Sequence, residues 1–219
     1  MADSRGEASP IDAIMRVDGA ARAETDDMKT SAANKPSMTA SEFLQWSGDL
    51  PDVTRHELVA GQPIAMPPER NRHNLVKIDC CLALRLAVRA RQLECTVLGD
   101  GATVVIDDHH VYEPDVTVQC GGSIDVDETV VSSPTILVEV LSPSTKSVDS
   151  SDKLIGYFQL PSVEHYLVVD PVRYAVIHHR RSNGEIATSL VREGLLTLDP
   201  PGIEIDIASF FETLKETIG

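Results

Sequence analysis

Pro134-Thr135-Ile136-Leu137-Val138-Glu139-Val140-Leu141 is a run of β-forming residues broken by a single charge. Period-2 alternation sets Ile136, Val138 and Val140 on one face and Leu137, Glu139 and Leu141 on the other. A lone carboxylate in so apolar a strand is costly unless a cation or hydrogen-bond donors meet it. A second run upstream, Val111-Tyr112-Glu113-Pro114-Asp115-Val116-Thr117-Val118, also alternates. It is expected to carry Tyr112, Val116 and Val118 on one face and Asp115 on the other. Side by side, the two strands would bring Asp115 and Glu139 within reach of one hard divalent cation. A helix starting just after the strand that holds Glu139 carries Lys153. Two carboxylates and a lysine are the outline of a metal-dependent phosphodiesterase site.

Outward from this centre, the pattern predicts alternating helices and strands. Thr39 followed by Glu42 reads as a capping box for a short helix ending near Trp46. His56 to Met66 reads as a β-hairpin turning near Ala60-Gly61. A long helix from about Asn71 to Arg91 is expected to bury Leu75, Ile78, Leu82 and Leu86, with Val76 and Ala83 less regularly. Strands are predicted at Cys95 to Leu98, Thr103 to Ile106, Tyr112 to Gln119 and Thr135 to Leu141. A helix over Ser150 to Gln159 follows, then strands over Glu164 to Asp170, Arg173 to His179 and Ile186 to Arg192. A short strand near Ile203 and an amphipathic helix from Ile207 to Thr217 close the chain. This order fits an α/β fold with a mixed central sheet flanked by helices.

At 219 residues the chain is long enough for one domain with a substantial core. Residues 1–37 hold too little apolar surface to fold alone and are expected to be a disordered extension, or else an arm packed on a partner subunit. The domain proper is expected over residues 38–219. No apolar run approaches the length of a membrane span, and the N-terminus has no basic start followed by an apolar stretch. The four cysteines include no CxxC pair, so reduced thiols in a cytoplasmic protein are expected. The net charge of −15 works against tight sequence-independent binding to DNA, because phosphate neutralisation supplies most of that affinity. Basic residues would have to cluster locally, as Arg70, Arg72, Lys77, Arg85, Arg89 and Arg91 could.

On spacing alone the site has a plain alternative: Asp115 at a strand edge, Glu139 paired with an arginine, and Lys153 in solvent. His73 at a helix start and Glu57 on the hairpin are either site residues or ordinary capping and surface groups. Asp149, one turn before Lys153, would orient the lysine as an i,i+4 pair. Were the site real, Asp115, Glu139 and the backbone carbonyl of Val140 would supply oxygen ligands to magnesium. Lys153 would stabilise charge on the pentavalent phosphorus.

The run Glu139-Val140-Leu141-Ser142-Pro143-Ser144-Thr145, then Asp149, Lys153 and Tyr157, then Ser162 to Pro171, resembles the Uma-two family of restriction-endonuclease-like proteins. That family belongs to the PD-(D/E)XK nuclease superfamily. Upstream, Glu57 to Pro63, His73 and Pro114-Asp115-Val116 also match its pattern, and the resemblance covers roughly residues 38–210. It implies a restriction-endonuclease-like α/β/α core and a DNA endonuclease using Mg2+ or Mn2+ held by Asp115 and Glu139. The superfamily usually places its lysine two residues after the second carboxylate, where this chain has Leu141. The resemblance carries that role to Lys153 on the following helix, and a further site role to Glu57 or His73. It also implies a homodimer acting on DNA, although the acidic surface and the displaced lysine equally suit a nuclease-fold protein that no longer cleaves. A third reading, hydrolysis of a small phosphorylated substrate, would tolerate the acidic surface.

Overall fold

A computed structural model describes residues 37–51, 54–142 and 149–219, with backbone alone at 149 and 150. The expected N-terminal extension therefore lies outside the described residues but for Ser37. So do Pro143 to Thr145 and the side chain of Asp149.

Thr39 caps the first helix reciprocally. Its hydroxyl accepts from the Glu42 N–H at 3.3 Å while the Glu42 carboxylate accepts from the Thr39 N–H at 2.8 Å. Helix α1 (Ala40–Gly48) follows. The expected hairpin is β1 (His56–Val59) and β2 (Gln62–Ala65), turning at Ala60 (φ 49°) and Gly61 (φ 73°). Two positive φ values in a two-residue loop match the right-handed twist of the strands. A Cβ on Gly61 would overlap the Ser37 hydroxyl.

The long helix α2 (Asn71–Ala90) lies where its period predicts, but its apolar stripe is a different one. Val76, Cys80, Leu84 and Val88 are buried, whereas Ile78 (63% exposed), Leu82 (53%) and Leu86 (55%) face outward. Both stripes repeat every four residues, so spacing cannot choose between them. The narrower side chains at 76, 80 and 88 suit the face that packs against the strands.

Six strands form the central sheet: β3 (Cys95–Leu98), β6 (Val116–Cys120), β7 (Pro134–Val140), β8 (His165–Asp170), β9 (Ala175–Ser182) and β10 (Glu185–Val191), in the order β10-β9-β8-β7-β6-β3. Only β7 and β8 are parallel, and the crossover between them contains α3 (Asp149–Gln159). A second sheet, β2-β1-β5-β4, adds β4 (Val104–Asp107) and β5 (His110–Tyr112). β11 (Leu195–Leu198) and β12 (Ile203–Asp206) form a hairpin, and a 3-10 turn (Ile207–Phe211) leads into α4 (Glu212–Ile218). The fold is thus the expected mixed α/β class.

β7 alternates as its sequence predicts. Ile136, Val138 and Val140 join the core beneath α2, while Leu137 joins the core beneath α3 with Tyr157, Phe158, Tyr166 and Val168. The expectation of one strand from Tyr112 to Gln119 fails. Pro114 has no N–H for a ladder, and the Glu113 N–H goes to Glu57 Oε1 at 2.9 Å. The run therefore breaks into β5 in one sheet and β6 in the other. Tyr112 consequently packs with the α3 core, not with Val116 and Val118. Asp115 sits at the joint.

The cysteines are also not all reduced thiols. Cys95 and Cys120, paired across β3 and β6, form a disulfide, leaving Cys80 and Cys81 free. Asp79, the one acid inside α2, accepts from the Thr213 N–H and hydroxyl at 2.9 and 2.7 Å and so ties α2 to α4.

One buried pair makes the fold acid-sensitive. His165 Nε2 bonds the Pro200 carbonyl at 2.8 Å and its Nδ1 meets His178 Nε2 at 2.9 Å. Burial pushes both imidazoles down to about 4. The carbonyl needs an N–H at His165 Nε2, so Nδ1 is left to accept from His178 and both rings stay neutral. Between pH 6.5 and 4 the unfolded chain binds protons here that the folded chain refuses, so stability is full above pH 6.5 and falls on acidification. Each histidine contributes at most about 1.4 kcal/mol per pH unit. His178→Gln should flatten the fall of melting temperature between pH 6.5 and 4.5. An unchanged slope would show that the pair does not titrate as described.

Candidate active site

The site lies where the two sheets meet. β6 and β7 pair antiparallel with Val116 opposite Val138, and Asp115 and Glu139 are the next residues beyond that pair on each chain segment. Asp115 is buried, and its Oδ2 accepts from the Val140 N–H at 2.7 Å and lies 3.3 Å from His73 Nε2. Its Oδ1 lies 3.6 Å from Lys77 Nζ.

Glu139 reaches two side chains of α3. Its Oε1 accepts from Tyr157 at 2.7 Å and from Lys153 at 3.0 Å. Lys153 also donates to Glu57 Oε1 at 2.9 Å, and its ammonium lies 5.5 Å from the centre of the Tyr112 ring. Lys153 is thus buried between two carboxylates, not solvated, and among the described residues Glu139 pairs with Lys153 and not with an arginine. α3 can come this close because residue 156 is glycine: a Cβ there would meet Tyr112 Cε2 at 3.1 Å. Loss of hydration raises the Glu139 carboxyl to about 7. The Lys153 charge opposes that rise, and the Asp115 and Glu57 charges add to it.

His73 opens α2 and is buried. Burial lowers its basicity, but the hydrogen bond and charge of Asp115, with Glu69 behind, more than compensate and hold the imidazole above its ordinary value. Its Nδ1 lies 3.2 Å from Glu69 Oε2 in an alignment that makes no hydrogen bond, so this buried nitrogen remains unsatisfied. Glu69, His73 and Asp115 offer ligand atoms within 4.8 Å of one another. Lys77 bonds the same Glu69 oxygen, however, and already supplies positive charge there.

Glu57, Glu69, His73, Asp115, Glu139 and Lys153 all line one cavity of about 220 Å3, and Val140 contributes to its wall. Every described residue expected to act as a metal ligand or catalytic group therefore reaches the same cavity. Sequence reading missed Glu69, the inward position of Lys77 and the Tyr157 hydroxyl. Glu69, His73 and Lys77 recur every four residues, which marks one side of a helix and its entry and could have identified them. Arg55 was missed as well. It holds Glu113 at 2.8 Å and pairs with Asp100, bracing the segment that leads into Asp115.

A family model described as "Uma2: Putative restriction endonuclease" matches residues 40–208. Two uncharacterised proteins of Synechocystis sp., sll1609 and slr1290, are 27% and 26% identical to the chain over 146 and 152 residues. Those alignments cover 66% and 68% of this chain and 81% and 78% of the relatives. Among solved structures, a "putative nuclease belonging to DUF820" from Anabaena variabilis superposes with a TM-score of 0.64 at 19% identity. That match covers 81% of this chain and 99% of the other.

Proposed function

Since the chain belongs to the Uma2 family, we propose that it is a divalent-metal-dependent DNA endonuclease centred on Asp115, Glu139 and Lys153. The observation that carries this reading is the position of Lys153. It comes from α3 instead of β7, yet its ammonium reaches Glu139 at 3.0 Å in the cavity that Asp115 also lines.

The donor set suits a hard cation such as Mg2+ or Mn2+. Carboxylates from Glu57, Asp115 and Glu139 share one cavity, and burial, with the Asp115 and Glu57 charges adding to it, keeps a proton on Glu139 up to about pH 7. Asp115, Glu139 and the Val140 carbonyl would hold the cation. When bound, it polarises a phosphoryl oxygen and lowers the pKa of a bound water.

The chain's own groups do the rest. The Val140 N–H and His73 fix the Asp115 carboxylate, so it enters the reaction already oriented. The Tyr157 hydroxyl does the same for Glu139. Glu57 holds the Lys153 ammonium in the cavity, where a preorganised positive charge stabilises the negative charge that builds on the phosphoryl oxygens.

Calorimetric titration of manganese into wild type and the Asp115→Ala/Glu139→Ala variant tests the reading. Binding that disappears in the variant, with cleavage of plasmid DNA by wild type alone, is the expected result. The net charge of −15 favours one rival, a nuclease-fold protein that binds or assembles without cutting. A wild type that neither binds manganese nor cleaves DNA would shift the balance to that rival.

A further inference from the structure

Lys77 lies on the buried side of α2 and is only 7% exposed. A lysine is tolerated there only when opposite charge meets it. Three carboxylates from three segments do so. Its Nζ bonds Glu69 Oε2 just before α2, lies 3.2 Å from Asp100 Oδ2 in the loop after β3, and stands 3.6 Å from Asp115 Oδ1 just before β6. Burial works against the charge, but Glu69, Asp115 and Asp100 more than offset it and hold the ammonium above its ordinary basicity. Arg55 braces Asp100 in turn. Lys77 therefore stays a cation, fixed inside the site.

Two of these carboxylates belong to a set that would otherwise suit a metal. Glu69, His73 and Asp115 present ligand atoms within 4.8 Å of one another, and the Lys77 ammonium lies against two of the three. It does so without consuming Asp115. A separation of 3.6 Å is an ion pair and not a hydrogen bond, so Lys77 attracts Oδ1 and leaves its lone pairs open to a cation shared with Glu139.

We propose that Lys77 is a positioning residue that fills the second-cation place of this site, so that the centre takes one divalent ion, held by Asp115 and Glu139, and not two. The inference rests on the nuclease reading above and deepens it. In two-metal phosphoryl-transfer sites the ions stand about 3.5–4 Å apart, and Asp115 is the residue that two ions would share here. A second ion entering beside Glu69 would meet a positive charge already in contact with that carboxylate. The ammonium is tethered to the chain, so it occupies the place without the loss of translational freedom that a free ion incurs. Lys77 and Lys153 are then counterparts: one reaches Asp115 from α2, the other reaches Glu139 from α3.

Counting manganese ions tests this. Titration followed by the paramagnetic resonance signal of free Mn2+ should give one bound ion per chain in wild type. Lys77→Met, of similar length but uncharged, should bind two. The pair in the variant should also show the broadened spectrum of coupled spins, which loss of a merely structural lysine would not produce. If Lys77→Met does not fold, Lys77→Met/Asp100→Asn removes one of the orphaned charges and keeps Glu69, His73 and Asp115, and two ions are expected again. Two ions in wild type, or one in a folded variant without Lys77, would overturn the inference and leave the nuclease reading intact. No bound manganese in wild type would overturn both.

Discussion

Lys153→Ala should lower phosphodiester cleavage by about two to three orders of magnitude, the range for losing one preorganised charge-stabilising group. The same change should destabilise the protein. Lys153 stands between Glu57 at 2.9 Å and Glu139 at 3.0 Å, and its removal leaves two buried carboxylates without their shared cation. Orphaning a buried charge typically costs about 3–5 kcal/mol, so a fall in activity alone could reflect unfolding. A second variant separates the two effects. Glu57→Gln/Lys153→Ala removes one of the two orphaned charges with the lysine, so it should recover part of the lost melting temperature while remaining unable to cleave. A double-mutant cycle in melting temperature and rate would read the coupling of this pair. Recovery of activity together with stability would show that Lys153 is a structural cation and would remove it from the chemistry.

That pairing also shows where sequence reading stops. Glu57 and Lys153 are 96 residues apart, and no local period connects a hairpin strand with a helix after β7. Glu139 was legible because it stood alone in an apolar run, where an uncompensated charge is costly, and Asp115 because it leads straight into the apolar alternation of Val116 and Val118. The strand alternation of β7 was legible for the same reason: its two sets of apolar residues supply two different cores. The break at Pro114 was written in the chain but masked by the alternation on either side of it. The buried stripe of α2 was not legible at all. Two stripes at identical spacing compete, and packing against the sheet selects the one carrying Cys80. The Cys95–Cys120 bond depends on the register of β3 against β6, which exists only once the sheet is assembled.

Glu139→Gln should abolish cleavage and manganese binding and yet make the metal-free protein more stable at neutral and alkaline pH. The sign follows from the raised carboxyl, at about 7 against an ordinary 4.5. Below 4.5 the folded and unfolded chains are both protonated at this group, and nothing is lost. Between 4.5 and 7 the unfolded chain ionises first, so stability declines as pH rises, and above 7 the full penalty persists. A neutral amide of the same shape avoids that penalty. The shift corresponds to about 3 kcal/mol, and the 16% exposure of the side chain brings the expected gain nearer 1–2 kcal/mol. The gain should be absent at pH 4.5 and complete at pH 8. The Glu139 slope opposes that of the His165–His178 pair over pH 4.5 to 6.5, so in wild type the two partly cancel. In Glu139→Gln the histidine slope should emerge steeper. Chemical denaturation at pH 4.5, 6.5 and 8 reads all three differences. If Glu139→Gln is instead destabilised at pH 8, then Lys153 and Tyr157 over-compensate the carboxylate, and Glu139 is a structural ion-pair partner. If it is more stable and inactive, the fold gives up stability at this position to keep a charge that only a bound cation completes, as expected where function and stability conflict.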